Sequence, residues 1–224
     1  MTVFQPRPAN ERQHPGGWRI AIAGTGGQGV VTAARVLCEA FVEQGHDVVS
    51  SQLHGMAQRG GSVQSAVMIG CGISPVIASG AADFVLGLEP VETARALPLM
   101  SRRTRVFMNT EPIVPFVLAQ RYALEKPGAD YPDVSGLIEQ IRAVAGQVHP
   151  FDATKLAAEA GSPRTLNVLM LGCLLATEAL PCTPARFWES VSRIVPAPLV
   201  EANTGAFLAG VAVAQKLQVA EARS

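Results

Sequence analysis

The stretch that decides the fold is Trp18-Arg19-Ile20-Ala21-Ile22-Ala23-Gly24-Thr25-Gly26-Gly27-Gln28-Gly29. Its first half is short, apolar and rich in β-branched residues, which predicts a buried strand. The second half is a glycine turn. Beyond it, Val31, Ala34, Leu37, Cys38, Phe41 and Val42 recur at helical spacing over residues 30–44, and Gly45 stops the helix. Residues 47–52 hold a Val-Val pair and predict a second strand. Strand, glycine turn, helix and strand in this order open a βαβ unit.

The rest of the chain continues the alternation. Residues 62–69 alternate in polarity and predict a half-exposed or edge strand. Residues 83–88 predict a buried strand, and residues 90–99 a helix with Pro90 in its first turn. Strands follow at 105–109 and 147–151, with an amphipathic helix at 134–145 and a helix capped by Asp152 running to 160. Residues 111–133 carry four prolines and predict irregular chain, with a short helical stretch at 117–122. The last third predicts helices at 164–180, 184–194 and 198–217. The expectation is one α/β domain over residues 18–217, Rossmann-like and three-layered, with a mostly parallel sheet and a helical C-terminal layer. Residues 1–17 predict a loose N-terminal arm.

Composition narrows the function. The 224 residues are 48% apolar and 16% charged, as expected of a globular chain. Eighteen Lys and Arg balance eighteen Asp and Glu, so no net field draws in nucleic acid or an anionic membrane. The Arg102-Arg103-Thr104-Arg105 cluster reads as a solvated approach to a strand. Cys38, Cys71, Cys173 and Cys182 are scattered and mostly flanked by apolar residues, which predicts reduced thiols in a cytoplasmic protein. None is spaced for an iron–sulfur cluster. The N-terminal residues lack the apolar core of an export signal, and the apolar run at 165–180 is too short to span a bilayer.

Gly24, Gly26 and Gly29 satisfy G-x-G-x-x-G between strand and helix. In that setting the first glycine permits the turn, the second admits an anion, and the third lets helix and strand pack closely. A close crossing without any ligand is the alternative reading of the same residues. Dinucleotide binding further requires a carboxylate at the end of the second strand, and that end is Ser50-Ser51-Gln52. No Lys-Ser or Lys-Thr follows the glycines, so the turn is not a nucleotide-hydrolysing loop. His14, His46, His54 and His149 show no metal-ligand spacing. His54 reads either as a functional group or as an exposed loop residue. Arg59, followed by Gly60-Gly61, could present its fork to phosphate or carboxylate, or could bind carbonyls or a partner subunit. Asn167 is a buried polar candidate in an apolar helix, explained by a helix–helix hydrogen bond as well as by a ligand. No G-x-S-x-G element and no Gly-Asp-Gly thiamine signature occurs.

Two segments together resemble a known family. Gly24-Thr25-Gly26-Gly27-Gln28-Gly29-Val30, followed by Ser51-Gln52-Leu53-His54-Gly55-Met56-Ala57-Gln58-Arg59-Gly60-Gly61-Ser62-Val63, is similar to the gamma domain of 2-oxoacid:ferredoxin oxidoreductases, and most to the beta subunit of the indolepyruvate type. The resemblance covers about residues 18–215. It implies oxidative decarboxylation of an arylpyruvate to an aryl-acetyl-CoA with ferredoxin as acceptor. It also implies a larger alpha subunit that carries thiamine diphosphate, magnesium and 4Fe-4S clusters. On this chain it implies that Gly24, Gly26, Gly27, Gln28, Gly29 and Arg59 suit coenzyme A or another phosphate. His54, Gly55, Met56, Gln58, Arg59 and Gly60 would form the face toward the partner's active site. The rival expectation is a stand-alone nucleotide-binding or regulatory module, which has no use for the loop at 55–61.

Overall fold

Large and small side chains alternate along the central strands, and this alternation sorts the two faces of the sheet. In the computed structural model, the residues described are 17–54, 61–71, 74–113 and 131–221. Among them, β1 is Trp18–Thr25, β2 Val48–His54, β3 Ser62–Ile69, β4 Phe84–Gly87, β5 Arg105–Asn109 and β6 Gln147–Phe151. The helices are α1 Val30–Glu43, α2 Pro90–Arg95, α3 Val134–Val144, α4 Ala153–Glu159, α5 Leu166–Leu175, α6 Pro184–Ile194 and α7 Val200–Glu221. Ile20 and Ile22 enter one core with Phe84, Leu86, Leu88 and Phe107, beneath α1, α5, α6 and α7. Ala21 and Ala23 enter the other with Val85, Val106 and Met108, beneath Ala96 and Ile141 of the α2–α3 side. The result is the expected three-layer α/β arrangement, with the larger side chains facing the larger helical layer. The expected arm lies outside the described residues but for Gly17, as does the helical stretch at 117–122.

The sheet order is β2-β3-β1-β4-β5-β6. β1, β4, β5 and β6 run parallel, and β3 runs antiparallel to both β1 and β2. The alternation that predicts an edge or half-exposed strand at 62–69 is therefore misleading. β3 is interior, because Val63, Val67 and Ile69 belong to one core while Ala66 and Met68 belong to the other. Its polar residues Ser62 and Gln64 fall at the end of the strand, near the loop that precedes it.

Local chemistry explains most boundaries. Gly45, at φ 85°, closes α1 in a Schellman arrangement: its N–H donates to Val42 O at 2.8 Å, and the His46 N–H donates to Phe41 O at 3.0 Å. Asp133 caps α3 and Asp152 caps α4 through their carboxylates. Arg102 is not merely a solvated approach to β5. Its guanidinium donates to the carbonyls of Arg142, Ala143 and Ala145, satisfying the C-terminus of α3. The apolar segment expected to be helical over 164–180 ends earlier, at Leu175, and begins with a 3-10 turn at Pro163–Thr165.

Two measurements check this architecture. The backbones of α5 and α7 meet at glycine: a Cβ on Gly210 would lie 2.0 Å from Leu169 O, and one on Gly172 would lie 2.2 Å from Phe207 O. Gly210→Ala should lose about 1–3 kcal/mol in chemical denaturation through overpacking, outweighing the roughly 1 kcal/mol that alanine gains in a helix. Gly136→Ala, whose Cβ meets only Asp133 Oδ2 at 3.4 Å, should be neutral or slightly stabilising. The second measurement concerns nicotinamide. With β3 inserted, the end of β2 stands two strand spacings from β1 instead of one, about 4.8 Å farther than a ribose-binding carboxylate requires. Calorimetric titration with NADH or NADPH should show no low-micromolar binding.

Candidate functional site

The C-terminal ends of β1 and β4 lie where the chain switches between the faces of the sheet. β1 leads into α1 on one face, and β4 leads into α2 on the other. Open α/β sheets place ligands at such a point. The glycine turn sits there, and one side chain organises it. Gln28 Oε1 accepts from the Thr25 N–H at 2.7 Å and from Thr25 Oγ1 at 3.1 Å. Its Nε2 donates across the crevice to Leu88 O at 2.8 Å. Gly24 must be glycine because a Cβ there would stand 2.8 Å from Gln28 Oε1 and 3.1 Å from Leu88 Cβ.

Gly29 is the left-handed N-cap of α1, at φ 80° and ψ 24°. A Cβ on it would lie 2.7 Å from Asn167 Nδ2, and that amide donates to Gly29 O at 3.3 Å. Asn167 therefore reaches from α5 to the turn and is not a bond within the C-terminal helical layer. Among the described residues no side chain caps α1, and its first turn holds no acidic residue. The N–H groups of Gly27, Gly29, Val30, Val31 and Thr32 have no acceptor among the described residues. A Cβ on Gly27 would meet nothing within 4 Å among them. A helix N-terminus with such N–H groups and no acidic residue in its first turn can take an anion.

Gly26 is engaged differently. Its N–H donates to Gly61 O at 2.9 Å. β2 ends at His54, which registers opposite Val63. The far end of the loop at 55–60 is thus fixed at the glycine turn, while its near end stands at the end of β2, across β3 from β1. Gly55, Met56, Gln58, Arg59 and Gly60, and the His54 side chain, lie outside the described residues. The structure brings Gly24, Gly26, Gly27, Gln28 and Gly29 together with the Gly61 end of that loop.

Sequence reasoning missed the other half of this rim. Asn109, fully buried at the end of β5, donates to Leu88 O at 3.0 Å and accepts from the Ala153 N–H at 3.0 Å. Glu89 and Glu92 are buried beside it. Tyr131 Oη donates to Glu89 Oε1, and Glu89 Oε2 accepts from the Glu92 N–H at 2.9 Å. Ser62 Oγ donates to Glu92 Oε2 at 2.5 Å. Burial, together with the Glu89 carboxylate, pushes the Tyr131 phenol above its ordinary range, so it stays protonated and donates. The pair of carboxylates thus moors both the strand after the 55–60 loop and the chain entering α3. The signal available in sequence was a Glu-Pro-x-Glu run directly after an apolar strand. A separate cavity of about 210 Å³, lined by Trp18, Asp83, Phe84, Arg103, Arg105, Gln147 and Ala179, lies at the opposite, N-terminal ends of the strands. Among the described residues, no three His, Cys, Asp or Glu side chains gather as metal ligands.

Comparison with known proteins agrees with this arrangement. Residues 19–213 match the family described as pyruvate ferredoxin/flavodoxin oxidoreductase. The indolepyruvate oxidoreductase subunit IorB of Methanothermobacter thermautotrophicus is 37% identical over 193 residues, covering 86% of this chain and 95% of that protein. The same subunit of Archaeoglobus fulgidus is 33% identical, covering 85% and 92%. Among solved structures, the gamma subunit of a keto/oxoacid ferredoxin oxidoreductase from Geobacter sulfurreducens superposes with a TM-score of 0.61 at 22% identity, covering 89% of this chain and 99% of that one. A 2-oxoglutarate:ferredoxin oxidoreductase from Magnetococcus marinus gives 0.65 at 18% identity, with this chain spanning 31% of that polypeptide. At those identities the structures speak for the fold, while the sequence matches carry the kinship. The chain belongs to the pyruvate ferredoxin/flavodoxin oxidoreductase family, alongside the indolepyruvate oxidoreductase IorB subunits.

Proposed function

We propose that this chain is the cluster-free subunit of a heteromeric, thiamine-dependent oxidoreductase that converts an arylpyruvate to an aryl-acetyl-CoA. In the overall reaction the 2-oxoacid loses carbon dioxide, the coenzyme A thiol forms the thioester, and the released electron pair passes to ferredoxin. Thiamine diphosphate with its magnesium, and the 4Fe-4S clusters, belong in this reading to a larger alpha subunit. This chain contributes the rim at the C-terminal ends of β1 and β4. The observation that carries the proposal is the Gly26 N–H bond to Gly61 O at 2.9 Å, which ties the end of the 55–60 loop to the glycine turn.

Coenzyme A fits what is present at this rim. The free N–H groups at the start of α1 and the open space above Gly27 suit a phosphate. In this arrangement Gln28 braces the turn, while Gly27, Gly29 and Arg59 meet the anion. His54, Met56 and Gln58 then face the partner's substrate cavity. The names of the relatives support the arylpyruvate class. A stand-alone nucleotide-binding or regulatory module is the second reading, and one experiment separates the two.

The chain is co-expressed with a large subunit of the indolepyruvate type, and the complex is assayed with indolepyruvate, coenzyme A and a viologen dye. The chain alone should be colourless and inactive, and the complex active. A charge-assisted contact from Arg59 is worth about 1.5–3 kcal/mol, so Arg59→Ala should lower kcat/KM roughly tenfold to a hundredfold. Arg59→Lys should recover only part of this, because lysine keeps the charge and loses the fork. Turnover by the isolated chain, or an Arg59→Ala complex that assembles normally with the parent's kinetics, contradicts the proposal.

A further inference from the structure

α5 is buried along its whole length, and Asn167 carries its only side-chain amide. That residue is 6% exposed. Its Nδ2 donates to Gly29 O at 3.3 Å and stands 2.7 Å from where a Cβ on Gly29 would lie. The amide is therefore pressed against the N-cap of α1, at the flank of the first turn. Its orientation follows from chemistry, because a flipped amide would set its own oxygen against Gly29 O. The other atom is spare. Oδ1 accepts from none of the described residues, and it is not sealed off from solvent. An amide this deeply enclosed ordinarily has both ends satisfied.

The rim thus sets two unlike groups side by side. The N–H groups of Gly29, Val30 and Val31, which have no acceptor among the described residues, attract an anion. A carbonyl oxygen repels an anion and takes a donor. A bare phosphate would leave Oδ1 unmet. A phosphate ester with a hydroxyl or an amide N–H a few bonds away answers both groups. Coenzyme A is such a molecule, since a hydroxyl and then an amide N–H follow its diphosphate along the pantetheine arm.

We infer that Asn167 is a specificity-determining residue of this rim: its Oδ1 accepts a hydrogen bond from a hydroxyl or amide of the ligand whose phosphate lies at the start of α1. The inference rests on the reading of that helix start as a phosphate site. One side chain then does two things, holding the left-handed Gly29 in place through Nδ2 and selecting the ligand through Oδ1.

Calorimetric titration of the assembled complex, saturated with thiamine diphosphate, compares coenzyme A with inorganic pyrophosphate. Both can use the N–H groups, but only coenzyme A brings a donor for Oδ1. The parent complex should bind both, coenzyme A the more tightly. Asn167→Ala should weaken coenzyme A about three- to tenfold more than pyrophosphate, the worth of one neutral hydrogen bond. Asn167→Asp keeps an oxygen in the place of Oδ1 and loses the donor to Gly29 O. It should weaken both ligands and retain the parent's preference for coenzyme A. A turn that is merely loosened would penalise the two ligands alike, so the ratio isolates the oxygen. Equal losses in Asn167→Ala, or a lost preference in Asn167→Asp, overturn the inference and leave the phosphate site standing. Pyrophosphate that neither binds the parent nor competes with coenzyme A overturns the phosphate reading, and this inference with it.

Discussion

The rim of this protein depends on one side-chain amide. Gln28 fills the notch over Gly24, holds the Thr25 N–H and reaches Leu88 O, where the Asn109 amide meets it from the other side. The ends of β1, β4 and β5 are therefore joined through a single carbonyl. A buried backbone group left without a partner costs about 1–3 kcal/mol, so this junction is satisfied by protein and does not wait for a ligand. What a dinucleotide-binding fold keeps open at its switch point is here partly closed. Among the described residues, the donors left without an acceptor here are those at the start of α1, beside Gly27.

Closure of the turn gives the neighbouring segments a rigid base. The Gly26 N–H holds Gly61, Ser62 holds Glu92, and Tyr131 holds Glu89, so two separate stretches of chain are moored within one cluster of hydrogen bonds. Two carboxylates buried this close to one another are tolerated because each accepts hydrogen bonds from hydroxyl or backbone donors. The insertion of antiparallel β3 serves the same end. It brings the chain leaving the 55–60 loop back to β1, where a purely parallel crossover would carry the chain away.

Much of this was legible in the sequence. The βαβ opening, the limits of β5, β6 and α6, and the cap Asp152 follow from periodicity and local hydrogen-bonding chemistry, which are short-range. The place of β3 was not legible, because polarity alternation in residues 62–69 reports a half-buried strand only when one face meets water. Here Ser62 is polar because it holds Glu92 at the rim, and from Ser65 onward the strand is buried on both sides. Asn167 and Gly29 are far apart in sequence, and no local pattern announces that one amide will lie on the other's carbonyl. Glu89, Glu92 and Asn109 were passed over for a related reason: each looks like an ordinary strand-end polar residue until the topology brings them together.

The central claim is that this rim completes an active site housed on another subunit. The most direct measurement is the structure of the chain assembled with its larger partner and coenzyme A. The account predicts that residues 55–60 line the partner's thiamine cavity and that the start of α1 faces the coenzyme's phosphates. A rim turned to solvent, with the partner's cavity closed by other elements, would contradict it.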